Sequence, residues 1–248
     1  RPPRSTLFPY TTLFRSGPWQ ALVAGDGDLV VSMEFLSFAR PGHLDGFLAP
    51  FEGADVTVVM GVRDQVRSLP SQWQTWCRSG GTMAWPDYLR ALRGEGEGDR
   101  AAEVHAAHTR VRPPAVLRRW ARHPLVGRVA VVTVPAAAAP EELWRRFVDA
   151  AGLPPVPADP ERARPNAGIG YGSTDLLRRV NPHLADLGYG AYRRMVKGLW
   201  DEVLAPRRPV ESRIPMDRAG THAAHAANGA VRRVLADPEL GLRLAGEP

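Results

Sequence analysis

Three short runs rich in β-branched residues, at 29–32, 56–62 and 129–134, constrain this chain's fold more than any other feature. Each is apolar throughout rather than alternating, and a strand without a polar face has to be buried on both sides. A parallel sheet covered by helices does this, and the intervening sequence supplies the helices. Amphipathic patterns run over 70–78, 86–93, 114–122, 141–151, 174–180 and 189–204, with a further one at 226–235. Gly152 stands where the fourth of these closes, glycine being the residue that most readily takes the left-handed conformation of a helix end. Strands alternating with helices predict an α/β fold, a parallel sheet flanked by helices with right-handed crossovers. Residues 94–99 read as a charged, Gly-rich loop and 153–165 as a Pro-rich surface connection.

The opening sixteen residues, RPPRSTLFPYTTLFRS, follow neither a helical nor a strand period. They back-translate codon by codon onto an adapter oligonucleotide of short-read DNA libraries, so residues 1–16 are expected to be an adapter-derived artefact. Residues 17–248 are then expected to form one partial domain. Of the formal net charge of +6, three charges belong to Arg1, Arg4 and Arg15, and the remaining excess is too mild for a nucleic-acid footprint. Lys197 is the only lysine among 32 basic residues, so the basic character reflects arginine usage rather than a function. Cys77 is the only cysteine, which excludes a disulfide within the chain and a multi-cysteine zinc site. The longest apolar run, near 56–62, is far short of a membrane span. A cytoplasmic protein with neither membrane nor nucleic-acid partners is expected.

The stretch DVTVVMGVRDQVRSLPSQW holds the most chemistry. A buried strand ends at Val62, Arg63 follows at once, and Ser71 is expected to open the next helix behind Pro70. In open parallel sheets, ligands bind beyond the carboxyl ends of the strands. A helix N-terminus offers unpaired N–H groups and positive dipole character to an anion. Arg63 would add a permanently charged fork and Ser71 a hydroxyl donor, together a phosphate clamp.

The spacing of Arg63, Ser71 eight residues on, and Trp73 two further resembles the motif with which sulfotransferases hold the 3′-phosphate of 3′-phosphoadenosine 5′-phosphosulfate. VLRRWARHPLVGRVAVVTVP, EELWRRFVDAAGL, NAGIG and LLRRVN are similar to one bacterial branch of that family. The resemblance implies a sulfotransferase-like fold of the P-loop NTPase type, here without its N-terminal strand and phosphate loop. It implies that co-substrate, and a small-molecule or carbohydrate acceptor bearing a hydroxyl or an amine. Arg63, Ser71 and Asn166 would contact the nucleotide, Asn166 opening NAGIG where the family has Asn-x-Ser-Leu-Gly. Gly168 replaces the usual Ser, so a hydroxyl contact is not implied there.

Ser32-Met33-Glu34 matches a Ser-x-Glu step of the family, and Glu34 is the candidate general base, with helix capping as its alternative role. The family also has a Gly-x-x-Lys-Thr-Gly-Thr loop whose lysine grips the phosphosulfate. Lys197 lies in a late helical pattern instead, so the intact parent is expected to be the enzyme and this chain inactive. Two alternatives stay open, a non-catalytic binding or scaffold member of the fold and an unrelated glycosyltransferase. For the latter, Asp26-Gly27-Asp28 precedes its strand where a metal step should follow one. The pairs His105/His108 and His222/His225 are expected to be solvated, the Gly-rich run 168–172 to be a loop, and most tryptophans to be core.

Overall fold

The computed structural model describes residues 21, 23–25, 27–134, 139–159 and 168–245. Three parallel strands form its sheet in the order β1 (Thr57–Arg63), β2 (Arg128–Val134), β3 (Arg243–Ala245). β1 and β2 pair along their whole length, from Thr57 opposite Arg128 to Arg63 opposite Val134, and β3 adds to the far side of β2. In chain order the α-helices among the described residues are α1 (Pro41–Leu48), α2 (Gln65–Arg78), α3 (Trp85–Arg93), α4 (Gly98–Val111) and α5 (Pro113–Ala121). After β2 come α6 (Pro140–Ala151), α7 (Tyr171–Val180), α8 (Tyr189–Gly198) and α9 (Arg218–Leu235). This is an α/β architecture built on a small parallel sheet.

Each sheet face is covered because the strands carry apolar residues on both. On one face Val62, Val129 and Val131 pack with Leu44 and Phe47 of α1, Leu117 and Trp120 of α5, and Val231 and Val234 of α9. On the other, Val59, Ala130, Val132 and Ala245 meet Ala150 of α6. A further, mostly helical cluster joins Trp73 and Cys77 of α2 with Trp85 and Leu89 of α3, Val104 of α4, Leu177 of α7 and Val196 of α8. Ala224 of α9 belongs to this cluster, so α9 packs into both.

The expected strand at 29–32 is not formed. Leu29 and Val31 are half-buried while Val30 is 56% exposed, and no ladder partner is present among the described residues. β-branched residues favour a strand only when a neighbour pairs with them. The segment instead leads into a 3-10 turn, Glu34–Phe38. Ser71 does not open its helix either, since α2 begins six residues earlier at Gln65. Asp64 caps it by accepting from the Val66 N–H at 3.2 Å. Pro70 lies inside α2, at the expense of one helical hydrogen bond.

Two further differences concern glycine-rich stretches. Gly98, expected in a loop, starts α4, and within 168–172 the loop gives way to α7 at Tyr171. Gly152 ends α6 at φ 68° as expected. The pattern at 189–204 splits into α8 and a π-helical turn, Leu199–Leu204. No helix among the described residues is long and apolar enough to cross a membrane.

Candidate functional site

The carboxyl end of β1 turns into α2 within three residues, and this junction carries the cationic candidate. Arg63 closes the strand opposite Val134 of β2. Its Nε is buried and has no hydrogen-bond partner among the described residues. Burial depresses the guanidinium's pKa, Arg67 depresses it further, and Asp64 works against both. An arginine remains charged under such a shift. The junction therefore holds a partly desolvated positive charge, beside a second arginine and one carboxylate.

The α2 N-terminus is closed by the protein's own groups. The Gln65 N–H donates to Asn228 Oδ1 of α9 at 2.9 Å, and Asn228 Nδ2 donates to Asp64 Oδ1 at 2.5 Å. The backbone N–H groups of Arg67 and Ser68 donate to the Asp64 carbonyl. Buried Gln65 returns its Nε2–H to the Arg63 carbonyl at 2.9 Å. The expectation that a helix start would offer unpaired N–H groups to a phosphate thus fails here: Asp64 and Asn228 already satisfy them.

Ser71 lies on the second turn of α2 and is exposed. One turn further, Gln74 Nε2 donates to the Ile169 carbonyl, and the Gly168 backbone lies so close that a Cβ there would be 3.2 Å from Gln74 Oε1. The helix bearing Ser71 and the end of the NAGIG loop are therefore side by side. Asn166 lies outside the described residues.

α7 starts on this same loop. Glu211 accepts from the Ser173 N–H at 2.9 Å, from Ser173 Oγ at 2.5 Å and from Arg207 Nε at 3.1 Å. Burial works to raise the Glu211 carboxyl, and these hydrogen bonds outweigh it, leaving its pKa below the ordinary value. A carboxylate at a helix start both satisfies orphan donors and complements the dipole.

Glu34 is exposed and begins the 3-10 turn, which Arg119 of α5 anchors by donating from Nη2 to the Ser37 carbonyl at 2.7 Å. No hydrogen bond or ion pair among the described residues links Glu34 to Arg63 or Ser71. The structure brings Arg63, Ser71 and the residues just after Asn166 onto one strand–helix–loop unit and leaves Glu34 on another.

Sequence reasoning missed Gln65, Asn228 and Glu211. Asp64 directly after a strand was a readable capping signal. An Asn in the middle of the Ala-rich α9 is unfavourable by propensity, which itself points to a tertiary role. Locally Glu211 signals only a pair with Arg207, four residues before it, because Ser173 of α7 is 38 residues away.

The histidines are only partly solvated. His105 Nδ1 is 3.1 Å from the Leu92 carbonyl, and His108 Nδ1 is buried without a partner among the described residues, whereas His222 and His225 are exposed. Of the tryptophans, Trp73, Trp85, Trp120 and Trp200 are core, and Trp144 is 36% exposed. No protein-family model matches the chain, and neither a curated protein nor a solved structure matches it.

Proposed function

We propose that this chain is the nucleotide-holding part of a sulfotransferase-like protein, with 3′-phosphoadenosine 5′-phosphosulfate as co-substrate and Arg63 as anchor of the 3′-phosphate. One observation carries the reading: a guanidinium at the carboxyl end of a parallel strand, its Nε buried and without a partner among the described residues. A buried donor left unpaired costs about 1–3 kcal/mol, which an anionic acceptor would recover. The seating of Gly168 and Ile169 on α2, one turn past Ser71, supports it, since the resemblance puts Ser71 and the loop that Asn166 opens near the nucleotide.

In the transfer step an acceptor oxygen or nitrogen attacks sulfur, and the bond from sulfur to the 5′-phosphate oxygen breaks. Adenosine 3′,5′-bisphosphate then leaves. The acceptor's proton passes to a carboxylate, the role proposed for Glu34. The chain's one lysine, Lys197, is on α8 and pairs with Asp201 at 2.5 Å. Binding of the 3′-phosphate is therefore proposed for the chain itself, and transfer for the protein in which a lysine-bearing phosphate loop accompanies it. A second reading, a non-catalytic nucleotide-binding or scaffold member of the same fold, is favoured by the closed α2 N-terminus, which leaves no free helix-start donors for a phosphate.

Calorimetric titration with adenosine 3′,5′-bisphosphate tests the clamp. Arg63→Ala is expected to weaken binding by about 1.5–3 kcal/mol, the worth of a charge-assisted hydrogen bond, and Ser71→Ala by less. Equal affinity for Arg63→Ala and the parent would overturn the assignment of the phosphate to Arg63.

A further inference from the structure

We infer that Asn228, 163 residues from the Gln65 it holds at the start of α2, is the positioning residue for Arg63, an inference that rests on the reading of Arg63 as the phosphate anchor. An asparagine inside a helix lowers its stability, because the side chain competes for the backbone. At 228 the amide is instead used on both ends: Oδ1 accepts the Gln65 N–H and Nδ2 donates to Asp64 Oδ1. Asp64 Oδ1 also accepts the Val66 N–H, so one amide and one carboxylate fix the first turn of α2.

The α9 platform is itself immobilised. Asp217 caps it by accepting the Gly220 N–H at 2.5 Å, and Ala224, Val231 and Val234 are buried along its length. Arg63 is thereby held from two sides. The β2 ladder fixes its backbone opposite Val134, and its carbonyl is bound by Gln65, whose own N–H Asn228 holds. A charged group aimed at a ligand needs supporting contacts of this kind to keep its direction.

The chemistry of the pair gives a rescue test. In Asn228→Asp the Gln65 N–H keeps its acceptor, but a carboxylate now faces the Asp64 carboxylate and the donor between them is gone. In the double variant Asp64→Asn with Asn228→Asp, the amide at 64 turns to donate to the carboxylate at 228, and the Val66 N–H, which shared Asp64 Oδ1 with Asn228, loses that acceptor. Two of the three hydrogen bonds are then restored, and the net charge equals the parent's.

The measurements, on the full chain, are bisphosphate affinity by calorimetry and hydrogen exchange of the Gln65 and Val66 amides. Asn228→Asp is expected to lose about five- to tenfold in affinity, the equivalent of one hydrogen bond, and to speed both amides' exchange. The swap is expected to recover affinity and the exchange of Gln65, with that of Val66 still fast. Parental affinity and exchange in Asn228→Asp, or a folded swap that restores Gln65 exchange but not affinity, would overturn the inference. If Asn228→Asp does not fold, the swap decides alone, since it must return affinity and Gln65 protection together. Should Arg63→Ala bind like the parent, the reading of Arg63 fails, and affinity changes at 228 could not then be attributed to it.

Discussion

His108 shows how a single buried side chain couples this fold to pH. Burial, reinforced by the charges of Arg112 and His105, pushes its imidazole down to about 4 from an ordinary value of 6.5. The unfolded chain therefore takes up a proton at 108 as pH falls below 6.5, while the folded chain resists it until about 4. The stability linked to this group is complete above 6.5 and is lost as pH falls towards 4. Urea unfolding at pH 7 and pH 5 should show the parent losing about 1–2 kcal/mol more than His108→Leu. Equal losses would mean that His108 is solvated. Cys77 is the opposite case: burial pushes its thiol up to about 12, with Arg178 opposing weakly, so the lone cysteine is an inert core group. Neither environment was legible in the sequence, where His108 reads as one of a pair of solvated histidines. The place of Arg63 at a strand end was legible, because it follows directly on an apolar run.

At the scale of elements, α3, α5, α6 and α7 and parts of α2, α8 and α9 were readable from the helical period, and the two seven-residue strands from their unbroken apolar runs. What escaped was set by tertiary context. α4 carries Gly98 as its first residue and a run of charged and alanine residues whose buried side is narrow, only Ala101 and Val104 being fully buried. β3 has three residues, too few for any periodicity to register, and exists because β2 offers it a ladder. The run at 29–32 has the composition of a strand and no neighbour to pair with among the described residues. The start of α7 shows how closely such elements are fitted. A Cβ on Gly170 would collide with the Cβ and carboxylate of Glu211, whereas one on Gly172 would meet Glu211 only at ordinary contact distances of 3.7–4.0 Å. Gly170→Ala should displace that carboxylate and cost about 1–2 kcal/mol, the value of a lost helix cap. Gly172→Ala should fall within about 0.5 kcal/mol of the parent. Denaturant midpoints of the two variants check this, and a neutral Gly170→Ala would show that Glu211 does not hold the helix start.

Three apolar clusters build the described residues, one on each face of the sheet and one among the helices, and α9 with the β1–α2 junction ties the helical cluster to the larger of the sheet clusters. Trp73, Trp85 and Trp200 report on the helical cluster and Trp120 on the cluster against the sheet. Because α9 contributes Ala224 to one and Val231 and Val234 to the other, neither cluster can open without uncovering the other's wall. Thermal unfolding followed by tryptophan fluorescence and by far-ultraviolet circular dichroism should therefore give coincident transitions. A helical signal that outlasts the tryptophan signal would show two independent units. The parallel ladder has a further effect, on the order in which the chain can assemble. Thr57 meets the β2 segment only across a separation of 71 residues, as the bond from Arg128 to Thr57 Oγ1 records, and β3 joins later still. Pairings so distant along the chain pay their loop-closure entropy before any contact repays it, and slow folding is the result. On the ribosome, α2 to α5 can collapse early, whereas the β2 edge stays open until translation has passed Ala245, making the time between those two events the interval in which a chaperone has most to protect.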